Sequence, residues 1–149
     1  MAPSDASGRI PPVPNVLVAT DADTIFDAVD AALGADHTVC RVRRGADVIA
    51  AVQQVGPVLV LLDLQIGNMG GIAACLDLRL EQRAGRVAPC RALMLLDREA
   101  DVFLARRAEA DGWLIKPLDA FRLRRAAATV LESGTYTEGL PDDAPAPLR

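Results

Sequence analysis

Residues 58–63 read Val-Leu-Val-Leu-Leu-Asp, and this run determines which kind of sheet the chain can form. Five apolar residues in succession leave no polar face, which is typical of a strand buried on both sides in a parallel sheet. Gly56-Pro57, directly before the run, ends any helix that precedes it. The run therefore predicts a central strand with helices packed on both faces of its sheet.

On both sides of this strand, short apolar runs alternate with segments whose apolar residues recur at helical spacing. The runs predict four further strands, at 15–19, 37–42, 92–96 and 112–115. The helical segments are one with Ile25, Val29 and Leu33, one at 46–55, one with Ile72, Cys75, Leu76 and Leu80, one at 98–108, and one after residue 119. This alternation predicts an α/β fold built on a parallel sheet.

Particular residues mark the expected ends of several helices. Gly34 is predicted to end the first helix in the left-handed conformation. Asp97 and Asp119 are predicted N-caps of the fourth and fifth helices, because an aspartate oxygen accepts the free N–H groups of a first turn. Phe121 is expected to face the core together with the later apolar residues of the fifth helix.

Prolines concentrate at both ends of the chain, and the stretch after residue 131 also holds few apolar residues. Such segments cannot bury enough surface to offset the entropy lost on ordering. We therefore expect one domain at 15–131, between a disordered N-terminal tail, 1–14, and a disordered, acidic and proline-containing C-terminal tail, 132–149. The second tail is too short for an output domain, so a stand-alone domain is expected.

The composition excludes several function classes. The chain of 149 residues carries 16 basic and 20 acidic residues, and its net charge of -4 disfavours direct DNA binding. It has no apolar run long enough for a membrane span and no signal-peptide pattern, so a cytoplasmic protein without membrane contact is expected. Three separated cysteines and one histidine provide neither a disulfide framework nor a zinc site.

Charged residues follow three of the predicted strands: Asp21, Asp63 and Lys116, the only lysine of the chain. Because ligands of open parallel sheets bind beyond the carboxyl ends of the strands, we expect these side chains to lie together. Two carboxylates sharing a cation suit Mg²⁺, so the pocket predicts divalent-metal and phosphoryl chemistry. An aspartate at a strand end is also a common helix N-cap, which gives each carboxylate a purely structural explanation as well.

The order of these residues resembles that in the receiver domain of bacterial two-component response regulators. The matching pieces are Asp21, then Leu61-Leu62-Asp63-Leu64-Gln65 with the loop that follows, then Trp113-Leu114-Ile115-Lys116-Pro117. The resemblance covers about 15–131. It implies a flavodoxin-like, doubly wound sheet of five parallel strands in the order 2-1-3-4-5, with helices on both faces.

The resemblance also implies a role for each matching residue. Asp63 would accept a phosphoryl group from a sensor histidine kinase or another phosphodonor. Asp21, Asp63 and the backbone carbonyl of Gln65 would hold Mg²⁺. Lys116 would pair with the phosphoryl oxygens, and Pro117 would follow it through a cis peptide bond. Such a protein would be no enzyme and would signal by docking to a partner.

Four departures from the family pattern indicate an atypical receiver. Thr20 stands where the family has the first of two acidic residues, so Mg²⁺ binding should be weak. Leu96 stands where the family has Ser or Thr, which removes a hydrogen bond to the phosphoryl group worth roughly 1.5–3 kcal/mol and weakens the switch. Trp113 replaces the usual switching Tyr or Phe and is either a fixed surface anchor, because of its size, or an aromatic residue half-buried on the last strand. Glu109 replaces a glycine, and a left-handed helix end there would cost it about 1 kcal/mol.

These observations leave two main functional hypotheses. The first is a single-domain response regulator of a phosphorelay, phosphorylated on Asp63; the second is a phosphorylation-independent protein–protein interaction module. In both, an effector protein would dock on the face formed by the fourth helix, fifth strand and fifth helix, which carries Arg106, Arg107, Trp113, Arg122 and Arg125. A third hypothesis, a nucleotide or small-molecule enzyme, rests on the glycine-rich loop 67–71, whose spacing matches neither a Walker loop nor a dinucleotide fingerprint. The sequence leaves the kinase, the effector and homodimerisation open.

Overall fold

The fold comes from a computed structural model in which residues 13–139 are described. Nearly all of the predicted N-terminal tail, and residues 140–149 of the predicted C-terminal tail, lie outside the described residues. The strands are β1 (Asn15–Ala19), β2 (Thr38–Val42), β3 (Leu59–Asp63), β4 (Arg91–Leu96) and β5 (Gly112–Ile115). The helices are α1 (Asp23–Leu33), α2 (Val48–Val55), α3 (Gly71–Arg83), α4 (Val102–Arg107) and α5 (Ala120–Ser133), and short 3₁₀ turns precede α2 and α4.

The five strands are parallel and lie in the order β2-β1-β3-β4-β5, which confirms the predicted fold class. Strand β3 is fully buried in the centre, as its unbroken apolar run predicts. Helices α1 and α5 cover one face of the sheet, whereas α2, α3 and α4 cover the other. Within the described part of the chain, no helix is both long and apolar enough to cross a membrane.

Two local predictions about the helices are wrong. Gly34 has a φ of -66° and continues the right-handed conformation, so α1 has no left-handed end. Phe121 is 66% exposed, because the buried side of α5 is set by Leu123, Ala127 and Val130. These follow the helical repeat among themselves, and Phe121 falls outside their stripe.

The structure also differs from the predicted start of the C-terminal tail at residue 132. Helix α5 continues to Ser133, and the six residues 134–139, which we call the C-terminal segment, lie beside β5. Tyr136 forms a parallel bridge with Gly112, and its carbonyl accepts a hydrogen bond from the Trp113 N–H at 2.9 Å. Composition did not predict this segment, because only a few of its residues contact the sheet edge and the core, and they form no apolar run.

Candidate functional site

The carboxyl ends of β1, β3, β4 and β5 meet at one edge of the sheet, and each is followed or ended by a polar residue: Thr20, Asp63, Asp97 and Lys116. Asp63 is the last residue of β3, and its side chain is only 3% exposed. The pocket is therefore a consequence of topology, since parallel strands bring residues distant in sequence to the same edge. Open parallel sheets bind their ligands at this position.

Lys116 is held between two carboxylates. Its Nζ lies 2.6 Å from Asp63 Oδ1 and 2.9 Å from Asp97 Oδ1. The backbone N–H of Lys116 donates to the Leu96 carbonyl at 2.8 Å, and the peptide bond to Pro117 is cis, as expected. Burial by itself would lower the pKa of Lys116, but the hydrogen bonds to the two carboxylates outweigh it and raise that pKa, so the ammonium form is favoured.

Thr20 places a hydroxyl at the position where the family pattern has an acidic residue. The side chain is fully buried, and its Oγ1 donates to Asp63 Oδ2 at 2.6 Å while accepting from the Ala22 N–H at 3.1 Å. A hydroxyl can donate a hydrogen bond to the buried carboxylate, whereas a second carboxylate in its place would repel it. Position 20 therefore adds no further charge to those of Asp63, Asp97 and Lys116.

Asp97 belongs to the pocket, although the sequence predicted only a helix cap for it. It does not cap the fourth helix as predicted: Arg98 takes the cap position of the 3₁₀ turn before α4, and its N–H donates to Asp101 Oδ2 at 3.1 Å. The Asp97 carboxylate instead accepts from Lys116 and, through Oδ2, from Gln65 Nε2 at 2.6 Å. Burial raises the pKa of Asp97, but these hydrogen bonds outweigh burial and lower it. Asp63 was recognised from its position at the end of a central strand. Asp97 directly follows β4 and could have been recognised in the same way.

Of the other two residues predicted as metal ligands, Gln65 contacts the buried carboxylate, and Asp21 contacts the loop after β3. Asp21 is exposed and accepts one hydrogen bond, from the Gly67 N–H to Oδ2 at 3.3 Å. The Gln65 N–H donates to Asp63 Oδ1 at 3.1 Å. Among residues 13–139, no three His, Cys, Asp or Glu side chains form a group that could hold a metal ion. Two carboxylates and a carbonyl fit a Mg²⁺ that keeps most of its waters, and they do not form an all-protein cage.

The three residues assigned to the switch or interface lie in different surroundings. Leu96 is fully buried in the apolar layer beneath α2, α3 and α4, so its side chain brings no polar atom to the pocket. Trp113 is 4% exposed, and its Nε1 donates to the Glu138 carbonyl at 2.8 Å. Of the two alternatives, the surface anchor is wrong: the indole packs into the apolar layer on the α4 side, with Arg106 over its ring. Pro117 follows Lys116 at the pocket rim, and its carbonyl accepts from Arg122 at 2.7 Å.

Glu109 has the left-handed backbone that the sequence analysis considered, with a φ of 65°. Two arginines of α3 compensate for this conformation. Arg79 Nε donates to the Glu109 carbonyl at 2.9 Å, and Arg83 pairs with its carboxylate at 2.7 Å. The helix therefore ends as the family pattern suggests, although no glycine is present.

The glycine-rich loop 67–71 packs against the turn before α2. The Gly45 N–H donates to the Gly67 carbonyl at 3.1 Å, and the Ala46 N–H donates to the Asn68 carbonyl at 3.0 Å. A Cβ on Gly45 would lie 1.7 Å from the Met69 carbonyl oxygen, so the close approach requires glycine. The loop is thus fixed by backbone contacts, and its two hydrogen-bonded carbonyls are not directed at a nucleotide.

The strand order and the charged pocket at the carboxyl edge define a flavodoxin-like, doubly wound α/β domain. The chain belongs to the response regulator receiver domain family, which it matches over residues 16–128. No curated protein matches the chain.

Solved structures of three bacterial proteins share the fold. The chemotaxis protein CheY4 of Vibrio cholerae is 21% identical with a TM-score of 0.69, over 79% of this chain and 98% of that one. A putative response regulator from Chloroflexus aurantiacus is 22% identical with a TM-score of 0.71, over 82% and 99%. The receiver domain of NtrX from Brucella abortus is 24% identical with a TM-score of 0.66, over 79% and 98%. At these identities the likeness shows the fold alone.

Proposed function

We propose that this receiver domain accepts a phosphoryl group on Asp63 and passes the signal on by docking to an effector protein. Membership of the receiver family supports a role in two-component signalling. The observation that carries the phosphoacceptor assignment is the contact of Asp63 Oδ1 with Lys116 Nζ at 2.6 Å, in a pocket at the carboxyl edge of the sheet. A cation beside a carboxylate nucleophile is positioned to bind the phosphoryl oxygens after transfer.

The transfer is a displacement at phosphorus. A carboxylate oxygen of Asp63 forms the new P–O bond, and the bond from phosphorus to the donor breaks. That donor is the imidazole nitrogen of a phosphohistidine or the oxygen of a small acyl phosphate, and the donor atom keeps the bonding electron pair. Lys116 then exchanges its contact with Asp63 for one with a phosphoryl oxygen, while the Thr20 hydroxyl remains a donor within reach of the carboxyl group.

Asp21, Asp63 and the Gln65 carbonyl are the groups that would hold Mg²⁺ in this pocket. Mg²⁺ bound there supplies positive charge against the negative charge that builds up on the transferring group. Because Thr20 is neutral, the protein contributes one carboxylate fewer than the family pattern, and the affinity for the ion should be low.

The first test is the intact mass of the protein after incubation with Mg²⁺ and acetyl phosphate as the small phosphodonor. We expect one phosphoryl adduct on the wild-type protein and none on Asp63→Asn, because the amide is not a nucleophile for this transfer. Asp27→Asn is the matched control, since Asp27 is an exposed carboxylate on α1, and it should carry the adduct as the wild type does. An adduct that persists in Asp63→Asn would contradict the assignment.

Asp97 should oppose phosphorylation. Its carboxylate holds Lys116 from the second side and places a negative charge where a phosphoryl anion would arrive. We expect Asp97→Asn to raise the phosphorylated fraction at a fixed early time about tenfold, which corresponds to about 1.4 kcal/mol. The measurement is the same mass assay, with Asp27→Asn again as control. An unchanged phosphorylated fraction would show that the contact of Asp97 with Lys116 does not oppose phosphorylation.

The alternative function is a receiver that binds its partner without phosphorylation. Two observations favour it: Lys116 already binds two carboxylates, and Leu96 provides no hydroxyl for a phosphoryl group. Absence of the adduct in both the wild type and Asp97→Asn would select this alternative. Asp97→Asn is a better second variant than Leu96→Thr, because Leu96 is fully buried and a threonine there would bring a hydroxyl into an apolar layer.

A further inference from the structure

Strand β5 is an edge strand of the sheet, and its outer edge is occupied by the C-terminal segment. Two N–H groups of this edge find their acceptors there. The Trp113 N–H donates to the Tyr136 carbonyl at 2.9 Å, and the Ile115 N–H donates to Glu138 Oε1 at 2.9 Å. An unpaired edge exposes a row of such groups and is a template for an added strand, so this edge has the chemistry of a peptide-binding site.

The carboxylate of Glu138 is the most heavily bonded group of the C-terminal segment. Besides the Ile115 N–H, it accepts from Arg122 Nε at 2.9 Å, from Arg122 Nη2, and from the Tyr136 hydroxyl at 2.8 Å. Burial raises the pKa of Glu138, but Arg122 and the other donors outweigh burial and lower it. Arg122 is fixed for this task by the Ile115 and Pro117 carbonyls, which accept from it at 2.8 and 2.7 Å. The edge therefore includes a site that binds a carboxylate.

Each end of the segment is a glycine with a left-handed backbone. Gly134, after α5, has a φ of 92°, and Gly139, at the other end, has a φ of 85°. Gly112 of β5 leaves room for the segment, since a Cβ there would lie 2.1 Å from the Tyr136 carbonyl oxygen. Tyr136 also packs against the hydrophobic core on the α5 side of the sheet. The contact is thus short and combines a few hydrogen bonds with one half-buried aromatic side chain.

We propose that the outer edge of β5 is a binding site for an extended peptide that bears a glutamate two residues after an aromatic residue, and that residues 135–138 occupy this site in cis. A partner with such a segment binds by displacing the chain's own copy. The site itself does not depend on phosphorylation of Asp63. It rests on the proposed function in one respect: the segment contacts β5 and Arg122 of α5, which belong to the face on which the effector is expected to dock.

The test uses the full chain and a fluorescent synthetic peptide with the sequence of residues 133–139. Glu138→Arg sets two like charges against each other at Arg122 and should expel the segment, and Glu138→Gln removes the charge while keeping the shape. Glu132→Arg is the matched control, since Glu132 is an exposed glutamate of α5. Circular dichroism confirms that each variant is folded. Peptide binding is followed by fluorescence anisotropy, and exchange of the Trp113 and Ile115 amides by hydrogen–deuterium exchange.

We expect these two amides to exchange about tenfold faster in Glu138→Arg than in the wild type, less so in Glu138→Gln, and unchanged in Glu132→Arg. The peptide should bind Glu138→Arg and fail to bind the wild type, and a peptide with alanine in place of its glutamate should bind neither. Protection that persists in both Glu138 variants would overturn the proposal. So would a peptide that binds no variant, or one that binds the wild type as tightly as Glu138→Arg.

Discussion

Replacing Lys116 with methionine is expected to lower the free energy of unfolding by about 3 kcal/mol. The substitution keeps most of the apolar stem and removes the ammonium group between Asp63 and Asp97. Asp63 is then a buried charge without a cation, and it faces a second carboxylate across the pocket. Removing one partner of a buried ion pair is costly for this reason, although the partial exposure of Lys116 places the effect at the lower end of the range.

The same account predicts a rescue. Adding Asp63→Asn to Lys116→Met should recover about 2 kcal/mol, because the unpaired buried charge is gone and the Thr20 hydroxyl still has an oxygen to bond. Urea unfolding of the two single variants and the double variant measures the coupling. Arg107→Met, at an exposed cation of α4, should change stability by no more than about 0.5 kcal/mol. If the double variant is less stable than Lys116→Met alone, the pocket is not held together by this charge pair.

The parts of this site that could be predicted from sequence are those fixed by the topology of the sheet. Asp63 directly follows an apolar run that only a central strand explains, and Lys116 follows the last strand, so a parallel sheet must bring both to its carboxyl edge. Periodicity was less informative for Phe121. The first turns of α5 carry apolar residues on two sides, and only the side with Leu123 packs into the core shared with α1.

Asp97 and Glu138 illustrate what sequence patterns leave undetermined. An aspartate between a strand and a helix is equally suited to cap the helix or to reach across the sheet edge, and the choice depends on where Lys116 and Gln65 lie in three dimensions. Glu138 stands in a polar, proline-flanked stretch whose composition is typical of a tail. Its order depends on one arginine and two N–H donors of β5, and such long-range polar contacts leave no periodic trace in the sequence.

We expect the residue at position 20 to determine how much Mg²⁺ stabilises the protein. Replacing it with aspartate removes the hydroxyl that donates to Asp63 Oδ2 and places a carboxylate at a fully buried position. Without Mg²⁺ we expect a loss of about 2 kcal/mol in stability, because two like charges then share a site that water does not reach. The introduced carboxylate also completes the acidic pair of the family pattern beside Asp21, so the variant should bind Mg²⁺ about tenfold more tightly than the wild type.

If Thr20→Asp binds Mg²⁺ more tightly, the ion should stabilise this variant more than the wild type. A purely structural role of Thr20 would give no such difference. A ligand that binds only the folded state adds stability according to its affinity, so saturating Mg²⁺ should stabilise Thr20→Asp by about 1.4 kcal/mol more than the wild type. Urea unfolding with Mg²⁺ and with Na⁺ at matched ionic strength measures the difference. Thr24→Asp, at an exposed threonine of α1, is the matched control and should respond to Mg²⁺ as the wild type does. Equal Mg²⁺ stabilisation of the two variants would mean that Asp21 and Asp63 are not at a metal site, and that the low charge of the pocket reflects a domain that works without the ion.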